Sequence, residues 1–161
     1  MIKKNSFLKS YKNLKVIVTG STGFKGAWLC FWLFKLNAKV VGIGLKPEKN
    51  NIIFESLNLK KKIKQYFIDI ADFNKFRDVI KKEKPDIIFH LAAQPLVSES
   101  HKFPKLTINT NFNGSLNILE IARKVRSIKS VVLITSDKCY QNYEINRGYK
   151  ESDRLGGDDP Y

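Results

Sequence analysis

The stretch Lys15-Val-Ile-Val-Thr-Gly-Ser-Thr-Gly-Phe-Lys-Gly26 decides how the rest of the chain is read. Val16, Ile17 and Val18 are apolar and β-branched, the composition of a short buried strand. Thr19 and Gly20 end it, and the apolar and aromatic run from Phe24 to Leu36 then reads as a buried helix. Gly20, Gly23 and Gly26 are spaced G-x-x-G-x-x-G across the turn between them. Gly20 permits the tight turn, Gly23 lets backbone approach a phosphate, and Gly26 lets the helix pack close to the strand. The helix N-terminus offers free N–H groups and partial positive charge to a pyrophosphate. Glycines alone are a weak signal, and a turn that binds nothing is the alternative. Strand before and helix after are the context that favours a dinucleotide site.

The pattern continues by alternation. Lys39–Leu45 is expected as strand two, with Asn37 stopping the helix before it. A short helix is expected near Phe54–Leu59, then strand three at Lys64–Ile68. Asp72 caps a helix that runs to Lys82, with Phe73, Phe76, Val79 and Ile80 on one face. Strand four is Asp86–Ala92. A long helix covers about Leu106–Val125, its apolar positions Ile108, Phe112, Leu116, Leu119 and Ala122 at helical spacing. Strand five is Lys129–Thr135, and from Cys139 the chain reads as a polar, Gly-rich loop. Alternating strands and helices give an α/β fold, a doubly wound parallel sheet with helices on both faces. Ligands of such sheets bind at the carboxyl ends of the strands. Gly20–Gly26, Asp69, Ala92–Gln94 and Ser136–Lys138 all fall there.

Composition narrows the classes. The chain has 161 residues, with 29 Lys+Arg against 15 Asp+Glu and a net charge of +14. The lysines are scattered, and the one dense run, Lys60-Lys-Lys-Ile-Lys64, has no interleaved aromatics. A solvated basic surface is favoured over a nucleic-acid partner. Cys30 and Cys139 lack CxxC spacing, which fits a reduced compartment rather than a disulfide framework. Met1 to Lys15 has no apolar core of a secretory signal. The most apolar run, Ala27 to Phe34, is too short to span a bilayer. A soluble, cytoplasmic protein without membrane partners is expected.

An NAD site usually carries an acid on the ribose about 20 residues past the glycines. Here strand two ends Gly42-Ile43-Gly44-Leu45-Lys46, and Glu48 is the first acid. Lys46 tolerates a 2′-phosphate, so NAD is preferred and NADP stays open. Asp69 stands where it can accept from an adenine amino group or cap the following turn. His90, between Phe89 and Leu91, reads as a packing residue.

These motifs together resemble the extended short-chain dehydrogenase/reductase family, the NAD-dependent epimerases and dehydratases. The matching stretches are Thr19-Gly-Ser-Thr-Gly-Phe-Lys-Gly26, Asp69-Ile70, His90-Leu-Ala-Ala93, Asn109-Thr-Asn-Phe-Asn-Gly114 and Val131–Ser136. Within it, Ala92-Ala-Gln-Pro-Leu-Val97, Ile134-Thr-Ser-Asp-Lys-Cys-Tyr140 and Gly156-Gly-Asp-Asp-Pro-Tyr161 are similar to segments of the nucleotide-sugar 4,6-dehydratases. Ser98 and His101 stand where that pattern has an arginine and a tyrosine. The resemblance implies a Rossmann-like domain over residues 15–161, behind an extension at 1–14. It implies a sheet incomplete on its C-terminal side and a substrate domain absent from these residues. It places the dinucleotide against Gly20, Thr22, Gly23, Phe24, Gly26, Asp69, Ile70, Leu91, Ala92, Ala93, Gln94 and Asn111, with no metal.

The implied substrate is CDP-glucose or a related nucleotide sugar, and the full-length protein is expected to form a homo-oligomer. The implied reaction is a redox-neutral dehydration, with hydride lent to NAD from C4 and returned to C6. Tyr161 takes the 4-hydroxyl proton and Ser136 hydrogen-bonds the 4-oxygen. Lys138 removes the C5 proton and Asp137 protonates the leaving 6-hydroxyl, yielding a 4-keto-6-deoxy sugar. Lys138 must then lack a proton and Asp137 carry one, which requires burial. A surface ion pair is the alternative for these two. The family's Tyr-x-x-x-Lys motif places its lysine four residues beyond Tyr161, the last residue here. The 161 residues alone are therefore expected not to turn over substrate. Other readings are a related dehydratase or epimerase, or a dinucleotide-binding module without catalysis.

Overall fold

The structure, a computed structural model, describes residues 10–47 and 52–161. Glu48 and the first nine residues of the 1–14 extension lie outside the described residues. The chain forms β1 (Lys15–Thr19), α1 (Phe24–Lys35), β2 (Lys39–Gly44), α2 (Ile52–Ser56), β3 (Lys64–Phe67), α3 (Phe73–Glu83) and β4 (Ile87–His90). There follow α4 (Val97–Lys102), α5 (Pro104–Ile108), a π-helical turn at Asn109–Asn113, α6 (Gly114–Lys124) and β5 (Ser130–Leu133).

The sheet is parallel throughout, in the order β3-β2-β1-β4-β5. This is the doubly wound, Rossmann-like order, in which the chain works outward from β1 one way and from β4 the other. Ile17 of β1 lies opposite Val41 and Ile88. Val16 and Val18 point into a core layer with Ala27, Cys30, Leu33 and Phe54. Ile17 points into the opposite layer with Phe76, Ile80, Ile118 and Ile121. Coverage on both faces explains why β1 reads as an unbroken apolar run.

Local signals set the ends of the elements. Asn37 is left-handed at φ 61°. Its N–H bonds Phe34 O and the Ala38 N–H bonds Leu33 O, a Schellman stop for α1. Asp72 accepts from the Lys75 N–H at 3.1 Å and opens α3. At the amino ends of the strands, Glu83 accepts from Lys64 Nζ and the Tyr66 hydroxyl, both at 2.6 Å, with Lys15 Nζ at 3.5 Å. Asp86 there accepts from the Lys15 N–H and from Lys129 Nζ. Cys30 is buried, which pushes its thiol up to about 12, and Cys139 is exposed. Among the described residues no helix is long and apolar enough to cross a membrane.

Two expectations need correction. The long helix is three consecutive segments, and the stripe Ile108, Phe112, Leu116 and Leu119 does not face the sheet; each is about half exposed or more. The buried face is Thr107, Gly114, Ile118 and Ile121. Both faces keep helical spacing, and the small residue decides between them. A Cβ on Gly114 would stand 2.5 Å from Ile70 Cδ1 and 3.0 Å from its Cγ1, so a larger residue there would displace the Ile70 side chain. Helix α4, over Val97–Lys102, was not expected from the pattern.

Candidate functional site

In a parallel sheet the carboxyl ends of all strands share one edge. The crevice opens where the winding direction switches, here between β1 and β4. Gly20 turns at φ 70° directly against the β4 loop. A Cβ there would lie 2.8 Å from Ala92 N and 2.9 Å from Leu91 O. A Cβ on Gly26 would run into the Gly20 carbonyl, so α1 starts in backbone contact with the turn. Gly23 is the N-cap of α1, is exposed, and provides no side-chain cap; no acid stands in the first helical turn. The opening of α1 thus presents N–H groups and partial positive charge to the crevice, the arrangement that receives a phosphate.

The loop's side chains lean on β2. Ser21 Oγ donates to Gln65 Oε1 at 2.9 Å, and the Ser21 N–H bonds Ile43 O. Thr22 Oγ1 would stand 2.8 Å from a Cβ on Gly44, and Gly42 is crowded in the same way by Gln65 and Ser21. The glycines at the end of β2 therefore make room for Ser21 and Thr22. Phe24 is exposed at the start of α1.

Asp69 is exposed and its Oδ1 accepts from the Ala71 N–H at 2.9 Å, the turn-capping alternative. Ile70 buries its side chain in the core, and its carbonyl accepts from Asn117 Nδ2. Asn117, which sequence reasoning missed, ties α6 to this turn; a lone Asn in a helix carries no signal of such a role. Leu91 and Ala92 follow β4, their amides bound to Thr19, and Ala93 is exposed. The Gln94 N–H donates to Asn111 Oδ1 at 2.8 Å, and Asn111 Nδ2 donates to Gln94 O at 3.1 Å. Asn111 sits in the π turn, so its amide is spent on holding the β4 loop. The Gln94 side chain is held in turn by Thr107 and Leu96.

After β5, Ser136 Oγ donates to Asp137 Oδ1 at 3.1 Å and accepts from the Lys138 N–H at 3.1 Å, capping a 3₁₀ turn over Asp137–Cys139. Asp137 and Lys138 are both exposed, so the burial expected for them is not met within the described residues. Among the described residues β5 is an edge strand of the sheet. The following segment folds back until the Gly156 N–H bonds Cys139 O, and Gly157 lies against Lys138 O. That return carries Tyr161 to the π turn. Tyr161 and Pro160 line an open hollow of about 420 Å³ with Ile108, Asn111 and Phe112. His90 is a buried residue, as expected, and burial lowers its imidazole to about 4. Among the described residues no cluster of His, Cys, Asp or Glu could hold a metal ion.

The fold and the strand-end glycine turn define an α/β domain of the Rossmann-like class. Residues 17–161 match the GDP-mannose 4,6 dehydratase family, and the chain belongs to it. It is 45% identical over 161 residues to the CDP-glucose 4,6-dehydratase of Salmonella typhimurium, covering all of this chain and 44% of that one. It is 28% identical over 164 residues to the dTDP-D-glucose 4,6-dehydratase of Dictyostelium discoideum, covering 91% of this chain and 37% of that one. The chain thus spans less than half the length of these relatives. The UDP-Glc/GlcNAc 4-epimerase of Campylobacter jejuni superposes with a TM-score of 0.80 at 21% identity, over 92% of this chain and 45% of that one. The UDP-glucose 4-epimerase of Thermus thermophilus, solved in complex with NAD, gives 0.77 at 24% identity, over 92% and 46%.

Proposed function

We propose that this chain is the dinucleotide-binding part of an NAD-dependent nucleotide-sugar 4,6-dehydratase, with CDP-glucose as substrate. The observation that carries the reading is the 45% identity to the Salmonella enzyme along the entire chain. The crevice suits the cofactor: Gly20 and Gly26 let the turn, the β4 loop and α1 pack backbone to backbone, and the uncapped, exposed Gly23 start of α1 is left for a diphosphate. NAD, when bound, supplies the hydride acceptor and donor that makes the dehydration redox-neutral.

The residues divide the remaining work. Gly20, Gly23 and Gly26 bring backbone to the diphosphate. Gln94 and Asn111 hold the β4 loop beside it. Tyr161 takes the proton of the sugar 4-hydroxyl, and Ser136 hydrogen-bonds the same oxygen. The ketone acidifies C5–H, Lys138 removes that proton, and Asp137 protonates the departing 6-hydroxyl. Asp137 and Lys138 need a water-excluded setting for this, which residues 10–161 alone do not give them. The 161-residue chain by itself therefore forms no keto-sugar.

The complete gene product, supplied with NAD and with CDP-, dTDP- or GDP-linked hexoses in turn, should release a 4-keto-6-deoxy sugar from CDP-glucose and far less from the others. Equal or greater turnover of another nucleotide sugar would overturn the substrate assignment. Keto-sugar formation by the 161 residues alone would refute the need for covering structure.

A further inference from the structure

The floor of the crevice rests on one hydroxyl. Thr19, the last residue of β1, is fully buried and immediately precedes Gly20. Its Oγ1 lies 3.1 Å from both the Leu91 and Ala92 N–H groups and 2.8 Å from His90 Nδ1, and the Leu91 N–H also reaches the Thr19 carbonyl at 3.3 Å. A hydroxyl has two lone pairs and one proton. The two amides can only donate, so they take the lone pairs, and the hydroxyl proton goes to Nδ1. His90 Nδ1 is then an acceptor without a proton, and the imidazole proton sits on Nε2. That nitrogen faces Ser115 Oγ of α6 at 3.4 Å. His90 itself is 3% exposed.

We propose that His90 is a positioning residue for the dinucleotide crevice: as the neutral Nε2–H tautomer it fixes the Thr19 hydroxyl as a double acceptor and so sets the gap between the glycine turn and the β4 loop. The inference rests on the dinucleotide reading above. It follows from the contacts. Gly20 stands in backbone contact with Leu91 and Ala92, the residues whose amides Thr19 holds. If His90 Nδ1 carried a proton, that proton would meet the Thr19 hydroxyl proton. The hydroxyl would then give up one of its three bonds; Leu91 keeps the Thr19 carbonyl, so the loss falls on the Ala92 amide, and the β4 loop would move relative to Gly20. The hydrophobic packing that surrounds the ring makes no such demand on its tautomer.

Long-range proton–nitrogen NMR of the ¹⁵N-labelled protein tests this directly. The chain holds two histidines, so a His101→Gln variant assigns the signals. The expected result is a pyridine-type nitrogen at His90 Nδ1 and a pyrrole-type nitrogen at Nε2, with and without NADH. A protonated Nδ1 overturns the proposal. NADH affinity of the complete gene product gives the second arm. His90→Phe keeps a planar ring without an acceptor and should weaken binding by about tenfold. His90→Asn, which places a carbonyl near the Nδ1 position, should restore most of it. Wild-type affinity in His90→Phe overturns the proposal even if both variants melt alike. A wild-type protein that takes up no NADH overturns the dinucleotide reading and this inference with it, whereas the wrong tautomer overturns this inference alone.

Discussion

Gly23 and Gly26 stand three residues apart in the same turn, and alanine at each should fail in a different way. At Gly26 the new Cβ would meet the Gly20 carbonyl carbon at 2.6 Å and Ser21 Cα at 3.1 Å, besides the Gly20 oxygen. All of these atoms are backbone or fixed to it, so no side chain can swing aside. Relief requires α1 to back away from β1, which loosens Ala27 and Cys30 against Val16 and Val18. Overpacking of this kind costs about 1–3 kcal/mol, against about 1 kcal/mol gained by replacing glycine inside a helix. With backbone atoms this close the upper end applies, so the net expectation is a loss of about 2 kcal/mol, or about 4–8 °C in Tm for a chain of this size. At Gly23 the nearest atom is the Gly20 oxygen at 3.3 Å, and φ of −76° with ψ of 168° suits any residue. Gly23→Ala should therefore melt within about 1 kcal/mol of wild type, the modest cost of alanine at an N-cap. On the dinucleotide reading proposed above, its methyl would also stand where a diphosphate has to approach the loop. Loss of at least about tenfold in NADH affinity is expected, which is ~1.4 kcal/mol. Fluorescence titration with NADH and thermal melts of both variants provide the check. A Gly23→Ala protein that binds NADH like wild type would refute the assignment of this loop to the phosphates. A Gly26→Ala protein with unchanged Tm would refute the packing argument.

Two further outcomes concern stability. His90 is held neutral, lowered by burial from 6.5 to about 4, so the unfolded chain binds the proton more readily than the folded one. Its contribution is complete above pH 6.5 and is lost as pH falls from there toward 4, reaching about 3 kcal/mol at the lower end. Denaturant melts between pH 7 and 4.5 should show this slope in wild type and lose it in His90→Phe; equal slopes would refute it. The carboxylates of Asp72, Glu83 and Asp86 are also lowered, but their contributions fade only at more acidic pH. For Glu83, burial alone would raise the carboxyl, and the hydrogen bonds from Lys64 and Tyr66 with the charges of Lys64 and Lys15 outweigh it. Glu83→Ala should cost about 2 kcal/mol, since a nearly buried acceptor with two donors is removed. Glu120→Ala, which breaks the surface pairs with Arg123 and Lys124, should leave the melting curve unchanged. A larger loss at Glu120 than at Glu83 would invert the reasoning.

The sheet and its glycine turn were legible because each local signal agreed with the whole. Val16–Val18, Gly20, Gly26, Asn37 and Asp72 all do in the structure what their chemistry suggests. The span from β4 to β5 was less legible. Helix α4 is a single polar stretch, Val-Ser-Glu-Ser-His-Lys, with neither a side-chain cap nor an apolar stripe. The π turn leaves no periodic trace, because it adds one residue to a helix that stays helical on both sides. What requires it is a contact with no sequence signature: both groups of the Asn111 amide are matched to the backbone of Gln94.

The exposed apolar face of β5 and the exposed Asp137 and Lys138 share one place in the fold. Both lie at the β5 edge of the sheet, beyond which no further strand stands among the described residues. On β5 and just beyond it, Val132 is 37% exposed and Ile134 49%. Val131 and Leu133, on the other face of the same strand, pack into the second core layer. A strand in the middle of a parallel sheet is apolar on both faces because both are covered, as β1 is. β5 has that composition and half of that cover. Asp137 and Lys138 follow directly from this strand, so whatever packs on Val132 and Ile134 would also remove water from the pair. Exclusion of water is the condition under which an adjacent carboxyl and amine both become neutral, and so able to act as acid and base in one elimination. The chemistry assigned to Asp137 and Lys138 and the apolar face of β5 thus make the same structural demand, and they make it at the same place.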